Sequence, residues 1–122
     1  MTESSAICQY LAGRYGATSM DVQATDGEYA NYLNYLHFGE TTLTVPLAMI
    51  LRYSRFEPEA RRQPQVVVDY TRFFFARLRQ LETHLSTRDY ICGARLTAAD
   101  VSVGYALYLA RFLDLTSGFK PA

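Results

Sequence analysis

An all-α bundle is the fold class this chain predicts, and three observations carry the prediction. No run of useful length alternates apolar and polar residues as a half-buried strand would. Apolar side chains recur instead at three- and four-residue intervals. A Thr-x-x-Asp capping box at Thr97 and Asp100 opens the most apolar stretch of the chain. No internal repeat is visible.

The first helix is expected over residues 5–15, where Ala6, Ile7, Tyr10, Leu11 and Tyr15 share helical spacing, with Ser4 as N-cap and Gly16 as the C′ residue. Residues 17–25 are small, polar and aperiodic and read as a linker, after which Asp26 is placed to cap a second helix. Over residues 27–53 the pattern is again helical, offering Tyr29, Tyr32 or Leu33, Leu36, Val45, Leu47 and Ile50 for burial. Pro46 removes a hydrogen bond to Thr42 and its ring clashes with that carbonyl, so a kink or break is expected near residues 42–45, already rich in β-branched side chains.

Pro58 and Pro64 bracket a polar connection containing Arg61 and Arg62, which with Arg52 and Arg55 read as a solvated, partly salt-bridged rim. Beyond it Val67, Tyr70, Phe74, Leu78, Leu81 and Leu85 follow 3, 4, 4, 3, 4 spacing, the clearest amphipathic signal in the chain. Residues 89–96 form a structured loop leading to the capping box. There the Asp100 carboxylate reaches back to the Thr97 amide, and Leu96 and Val101 are placed as a hydrophobic staple. The helix that follows, residues 101–113, is apolar all round; its uncharged stretch is far short of the ~20 residues a bilayer needs, so it is assigned to the core. Gly118 and Pro121 leave the chain end without a closing helix.

With 122 residues, 49% of them hydrophobic, the chain has material for one modest core. Twelve basic residues balance twelve acidic ones, which gives no field for nucleic acid or an anionic membrane surface. No basic n-region and apolar h-region precede the first helix, so a cytoplasmic setting is expected. Cys8 and Cys92 stand far apart and in no metal-ligand spacing, which predicts free thiols and no metal site.

Two patches resemble one family. Thr2-Glu3-Ser4-Ser5-Ala6-Ile7-Cys8-Gln9-Tyr10-Leu11 is similar to the E-S-x-A-I-x-x-Y-L helix start of cytosolic glutathione S-transferases, and Gly93-Ala94-Arg95-Leu96-Thr97-Ala98-Ala99-Asp100 resembles their G-x-x-x-T-x-A-D box. Leu81-Glu82-Thr83-His84-Leu85 resembles the L-E-x-x-L ending of the helix before that box. The resemblance implies that residues 1–16 are the last helix of a thioredoxin-like glutathione domain, 17–25 the linker, and 26–122 the helical C-terminal domain. Most of the thioredoxin-like domain, with the catalytic Tyr, Ser or Cys, is then missing from these residues. Both ends are expected to be cut, with Met1 an internal methionine, and the catalytic residue is unknown.

The resemblance also implies a role for Glu3 and Ser4. A helix N-terminus presents unpaired amides and partial positive charge, so the γ-glutamyl carboxylate of glutathione would sit on the Ser4 hydroxyl and amide while Glu3 pairs with the α-ammonium. Without the family, Ser4 as a simple cap and Glu3 as a partner of the helix dipole explain the same residues. His37, Phe38 and Thr41 are candidates for the wall of an electrophile pocket, with a plain surface histidine as the alternative for His37. His84 is expected to face solvent at a helix end. The tyrosines at 29, 32 and 35 and the phenylalanines at 73–75 read as packing or subunit-interface side chains. Cys8 and Ser5 find no base at a defensible spacing and are not assigned to catalysis.

Three functions remain open. The parent protein conjugates glutathione, as co-substrate, to a small hydrophobic electrophile as a cytoplasmic homodimer, the fragment alone being inactive. Or the chain is a non-catalytic interaction module of the same fold. Or it belongs to a glutathione-dependent isomerase or dehalogenase.

Overall fold

The computed structural model describes residues 1–15 and 20–118. The expectations for Gly16, for residues 17–19 of the linker and for Pro121 fall outside that set. Five α-helices make up the frame: α1 (Ser4–Tyr15), α2 (Tyr29–His37), α3 (Val45–Leu51), α4 (Pro64–Leu85) and α5 (Ala98–Phe112). Among the described residues there is no strand, only an isolated bridge in which Tyr90 and Gly93 exchange N–H to O bonds of 3.1 Å. Gly93 closes that turn at φ +87°, a conformation that favours glycine. Among the described residues no helix is long and apolar enough to cross a membrane.

Pro46 does not break its helix. From Tyr29 to Phe56 the chain stays helical but widens twice into π-helical turns, Phe38–Thr44 and Arg52–Phe56. Without an N–H, Pro46 cannot bond the Thr42 carbonyl, and a wider turn directly before it relieves the ring's clash with the preceding turn. The Thr44 hydroxyl donates to the Gly39 carbonyl five residues back at 2.8 Å. This path rests on α5, where the Ser102 hydroxyl donates to the Leu36 carbonyl at 2.7 Å. Gly39 permits the approach: a Cβ there would lie 2.6 and 2.7 Å from the Ser102 carbonyl carbon and oxygen and would also meet its hydroxyl.

Alpha-2 and the first π turn pack on α5, while α3 packs on α4. The core between them holds Tyr32, Leu36, Leu43, Leu47 and Ile50 from the long helical path, Phe74 and Leu81 from α4, and Ala99, Val103, Ala106 and Ala110 from α5. Burying one such large side chain contributes about 1.5–3 kcal/mol. Burial raises the Tyr32 phenol to about 12, helped by the nearby Asp21 carboxylate. Val22, Ile91 and Cys92 seal the loop end of the core. Cys92 is buried and Cys8 half-buried, both as free thiols.

Several local expectations need correcting. Helix α1 includes Ser4 as its first residue, so Ser4 is not the N-cap, and α1 leaves Tyr10, Leu11 and Tyr15 largely exposed. Asp26 lies before α2, which starts at Tyr29; its carboxylate accepts the Glu28 N–H at 2.9 Å in an Asx turn rather than capping the helix. Val45 points to solvent. His84 does not simply face solvent: its Nε2 lies 2.9 Å from the Ile91 carbonyl, and its ring packs 4.4 Å from that of Tyr35.

The largest difference concerns α5. Its buried stripe is made of small residues, and Val101, Tyr105, Tyr108 and Phe112 are exposed by 44%, 59%, 69% and 59%. Small alanines admit the neighbouring helices closely, and the bulk of the helix's apolar surface is left on the outside. Leu96 and Val101 are each nearly half exposed, so a staple between them buries little. The capping box itself is present in both halves. Arg52 and Arg61 both pair with Glu57, at 2.8 and 3.2 Å, as the arginine rim predicted.

Candidate functional site

The tip of α1 is where a helix end meets another element. Of the first amides, which have no partner inside the helix, that of Ser5 donates to Glu40 Oε2 at 3.0 Å. Glu40 comes from the first π turn, so an acidic side chain 35 positions along the sequence caps α1. Ser5 is only 4% exposed, whereas Glu3 and Ser4 are open to solvent. The Ser5 hydroxyl and then its amide hold the Glu40 carboxyl below the usual carboxylate range, and Ser4 adds to this.

Ser5 Oγ also lies 3.2 Å from His37 Nδ1. Which of the two donates follows the imidazole tautomer: Nδ1 donates to the hydroxyl when it carries the proton and accepts from it otherwise. Ser5 thus meets the neighbouring path twice, through its hydroxyl at His37 and through its amide at Glu40. Ser5 therefore does have a histidine beside it, contrary to the expectation from spacing. Its burial keeps the hydroxyl from any substrate.

Beside Ser4 a cavity of about 230 Å³ is lined by Cys8, Glu40, Thr44, Val101, Ser102 and Tyr105. Along α1 it adjoins an apolar pocket of about 290 Å³ that shares Cys8 and Val101 and adds Leu11, Ala12, Tyr15, Met20 and Ala98. His37, Phe38 and Thr41 come together elsewhere, in a shallow depression of about 340 Å³ with Leu33, Asn34 and Thr42. None of the three lines the cavity beside Ser4. Phe38 packs edge-on to Tyr35 with 5.3 Å between ring centres, and the Thr41 hydroxyl donates to the His37 carbonyl at 2.9 Å.

Thr97 and Asp100 form a structural centre. Asp100 Oδ2 accepts the Thr97 N–H at 2.8 Å and the Thr97 hydroxyl at 2.9 Å, and Oδ1 accepts the Ile91 N–H at 2.9 Å. One carboxylate thus joins the helix start to the loop before it. Among the described residues, no group of three or more His, Cys, Asp or Glu side chains could hold a metal ion.

Residues 71–121 match the family model described as the glutathione S-transferase C-terminal domain. The theta class glutathione S-transferase of Xanthomonas axonopodis pv. citri superposes with a TM-score of 0.75 at 25% identity, over 90% of this chain and 57% of that one. The fold is that of the glutathione S-transferase C-terminal domain. The glutathione transferase URE2P6 of Phanerochaete chrysosporium, solved with oxidized glutathione, gives 0.81 at 27% identity over 93% of this chain and 51% of its own. For Ure2p5 of the same fungus, cocrystallized with 1-(S-glutathionyl)-2,4-dinitrobenzene, the values are 0.84, 24%, 98% and 54%. No curated protein sequence matches the chain. The chain spans about half the length of these solved transferases.

Against the transferase fold, the resemblance drew attention to Glu3, Ser4, Thr97 and Asp100 and passed over Glu40. Nothing local marks Glu40: it is one acid within a helical run, and only the packing of α1 on the π turn brings it to the tip.

Proposed function

We propose that this chain is the helical part of a glutathione transferase-like protein, and that the tip of α1 receives the γ-glutamyl carboxylate of glutathione. In this reading residues 1–16 belong to a thioredoxin-like glutathione domain, 17–25 are the linker and 26–122 the helical domain. The observation that carries it is the exposed Ser4 at the start of α1, which lines a mostly apolar cavity together with Glu40, Thr44 and Ser102. The fungal transferase with 27% identity and oxidized glutathione bound supports the choice of ligand. Ser4 takes the carboxylate through its amide and hydroxyl, and Glu3 takes the ammonium. His37, Phe38 and Thr41 form part of the wall facing the electrophile. The protein, as a cytoplasmic homodimer, conjugates the glutathione thiol to a small hydrophobic electrophile.

Calorimetric titration of reduced glutathione into the purified chain tests this. Saturable binding is expected, weakened at least tenfold by Ser4→Pro, which deletes the amide donor at a position where proline suits a helix start. Equal affinities of the two proteins would remove the tip from the site. A second reading, an interaction module, is favoured by the open face of Val101, Tyr105, Tyr108 and Phe112 on α5. Absence of any glutathione binding would favour it.

A further inference from the structure

We infer that the outer face of α5 is a self-association surface, on which a second copy of this chain docks with its own α5 antiparallel to the first. The inference names the face of the homodimer in the proposed function and needs no glutathione.

Val101, Tyr105, Tyr108 and Phe112 follow one another at intervals of four, three and four residues. At about 100° of turn per residue they fall on one narrow stripe, opposite the buried Ala99, Val103, Ala106 and Ala110. Their exposures of 44%, 59%, 69% and 59% make the stripe a continuous apolar seam, the kind of surface that marks an interaction site. Gly104 is also exposed, and a Cβ there would meet nothing within 4 Å, so a second helix can come close at that point.

Two properties select a second copy as the occupant. The first is spacing, which reads the same in both directions. A two-fold axis across the seam sets Tyr105 opposite Tyr108 of the other copy and Val101 opposite Phe112, small against large, as an isologous interface requires. The second is charge, which is divided along the seam. Its N-terminal end carries Asp100 and, on the wall of the cavity shared with Val101 and Tyr105, Glu40. Its C-terminal end carries the exposed Arg111 and the Arg55 guanidinium, 5.8 Å from the centre of the Phe112 ring. Among the described residues neither arginine belongs to an ion pair. An antiparallel copy lays each basic end over an acidic one and opposes the two helix dipoles, whereas a parallel copy sets like charge on like.

Area fixes the strength. Three aromatic side chains of about 150–250 Å² each, roughly 60% open, leave about 400 Å² on one copy. With Val101, Gly104 and the arginine stems, two copies bury about 1,000 Å², the lower end for a specific interface. The dimer is therefore reversible and concentration-dependent.

Sedimentation equilibrium across the micromolar range tests the face, with circular dichroism confirming that each variant is folded. Wild type should pass from monomer to dimer, Tyr108→Glu should weaken association at least tenfold, and Leu11→Glu, on the exposed side of α1, should stay within twofold of wild type. Cross-linking with an added thiol oxidant tests the register. A mixture of Tyr105→Cys and Tyr108→Cys should form an intermolecular disulfide at least fivefold faster than either variant alone, Cys8 and Cys92 being common to all three samples. Equal rates overturn the antiparallel register. A dimer that survives Tyr108→Glu keeps the homodimer and overturns this face. A wild type that stays monomeric overturns both the face and the homodimer, while the glutathione titration still decides the α1 tip.

Discussion

Replacing Asp100 with Ala removes more than a helix cap. The carboxylate accepts three hydrogen bonds, from the Thr97 amide at 2.8 Å, the Thr97 hydroxyl at 2.9 Å and the Ile91 amide at 2.9 Å. Thr97 and Ile91 are 0% and 1% exposed, so neither amide has ready access to water once the carboxylate is gone. A buried donor left unsatisfied costs about 1–3 kcal/mol. The rotatable hydroxyl can turn to Cys92 Sγ, 3.7 Å away, and adds little. Two stranded amides, with some relaxation at the half-buried Asp100 position, give about 2–4 kcal/mol in total. A loss of that size in a chain of this length lowers the melting temperature by roughly 6–16 °C. Asp100→Asn should recover only part of it, since the amide presents one acceptor oxygen where two are used. Urea unfolding followed by circular dichroism measures the loss, and amide exchange at Ile91 and Thr97 locates it. A melting temperature within 2 °C of wild type, or unchanged exchange at both amides, would refute the account.

Gly39→Ala puts a methyl group against the Ser102 backbone, which cannot rotate away, and should cost about 1–3 kcal/mol or more by forcing the π turn off α5. Urea unfolding of that variant with an unchanged midpoint would mean the approach is looser than described. Acid sensitivity should reside in two carboxyls held below their usual range, Glu40 by Ser5 and Glu28 by Asn31 and then Arg88. Because both are lowered in the folded state, their contribution is present above the unfolded carboxylate value of about 4.3 and is lost as pH falls through the lowered folded values. Melting temperatures between pH 3 and 7 should therefore fall less steeply for Glu40→Gln than for wild type, and parallel curves would contradict this.

What the sequence makes legible here is whatever depends on neighbours along the chain. The spacing from Val67 to Leu85 located α4, and the Thr97 and Asp100 pair located the start of α5, because caps and amphipathic stripes are satisfied within a few residues. Pro46 announced a disturbance. Whether a helix there breaks or widens depends on what lies against it, and the close seat of Gly39 on Ser102, a contact across 63 positions, keeps the widened path in place. The outer face of α5 was misjudged for a related reason: hydrophobicity says that a surface prefers cover and does not say which side receives it. The same limit divides the candidate site. Ser4 could be found because helix starts carry a local pattern, whereas Glu40 reaches the α1 tip only through the packing of α1 on the π turn. A helix tip at the junction of two elements thus has one half written in a motif and the other in the tertiary fold, and only the first can be read along the chain.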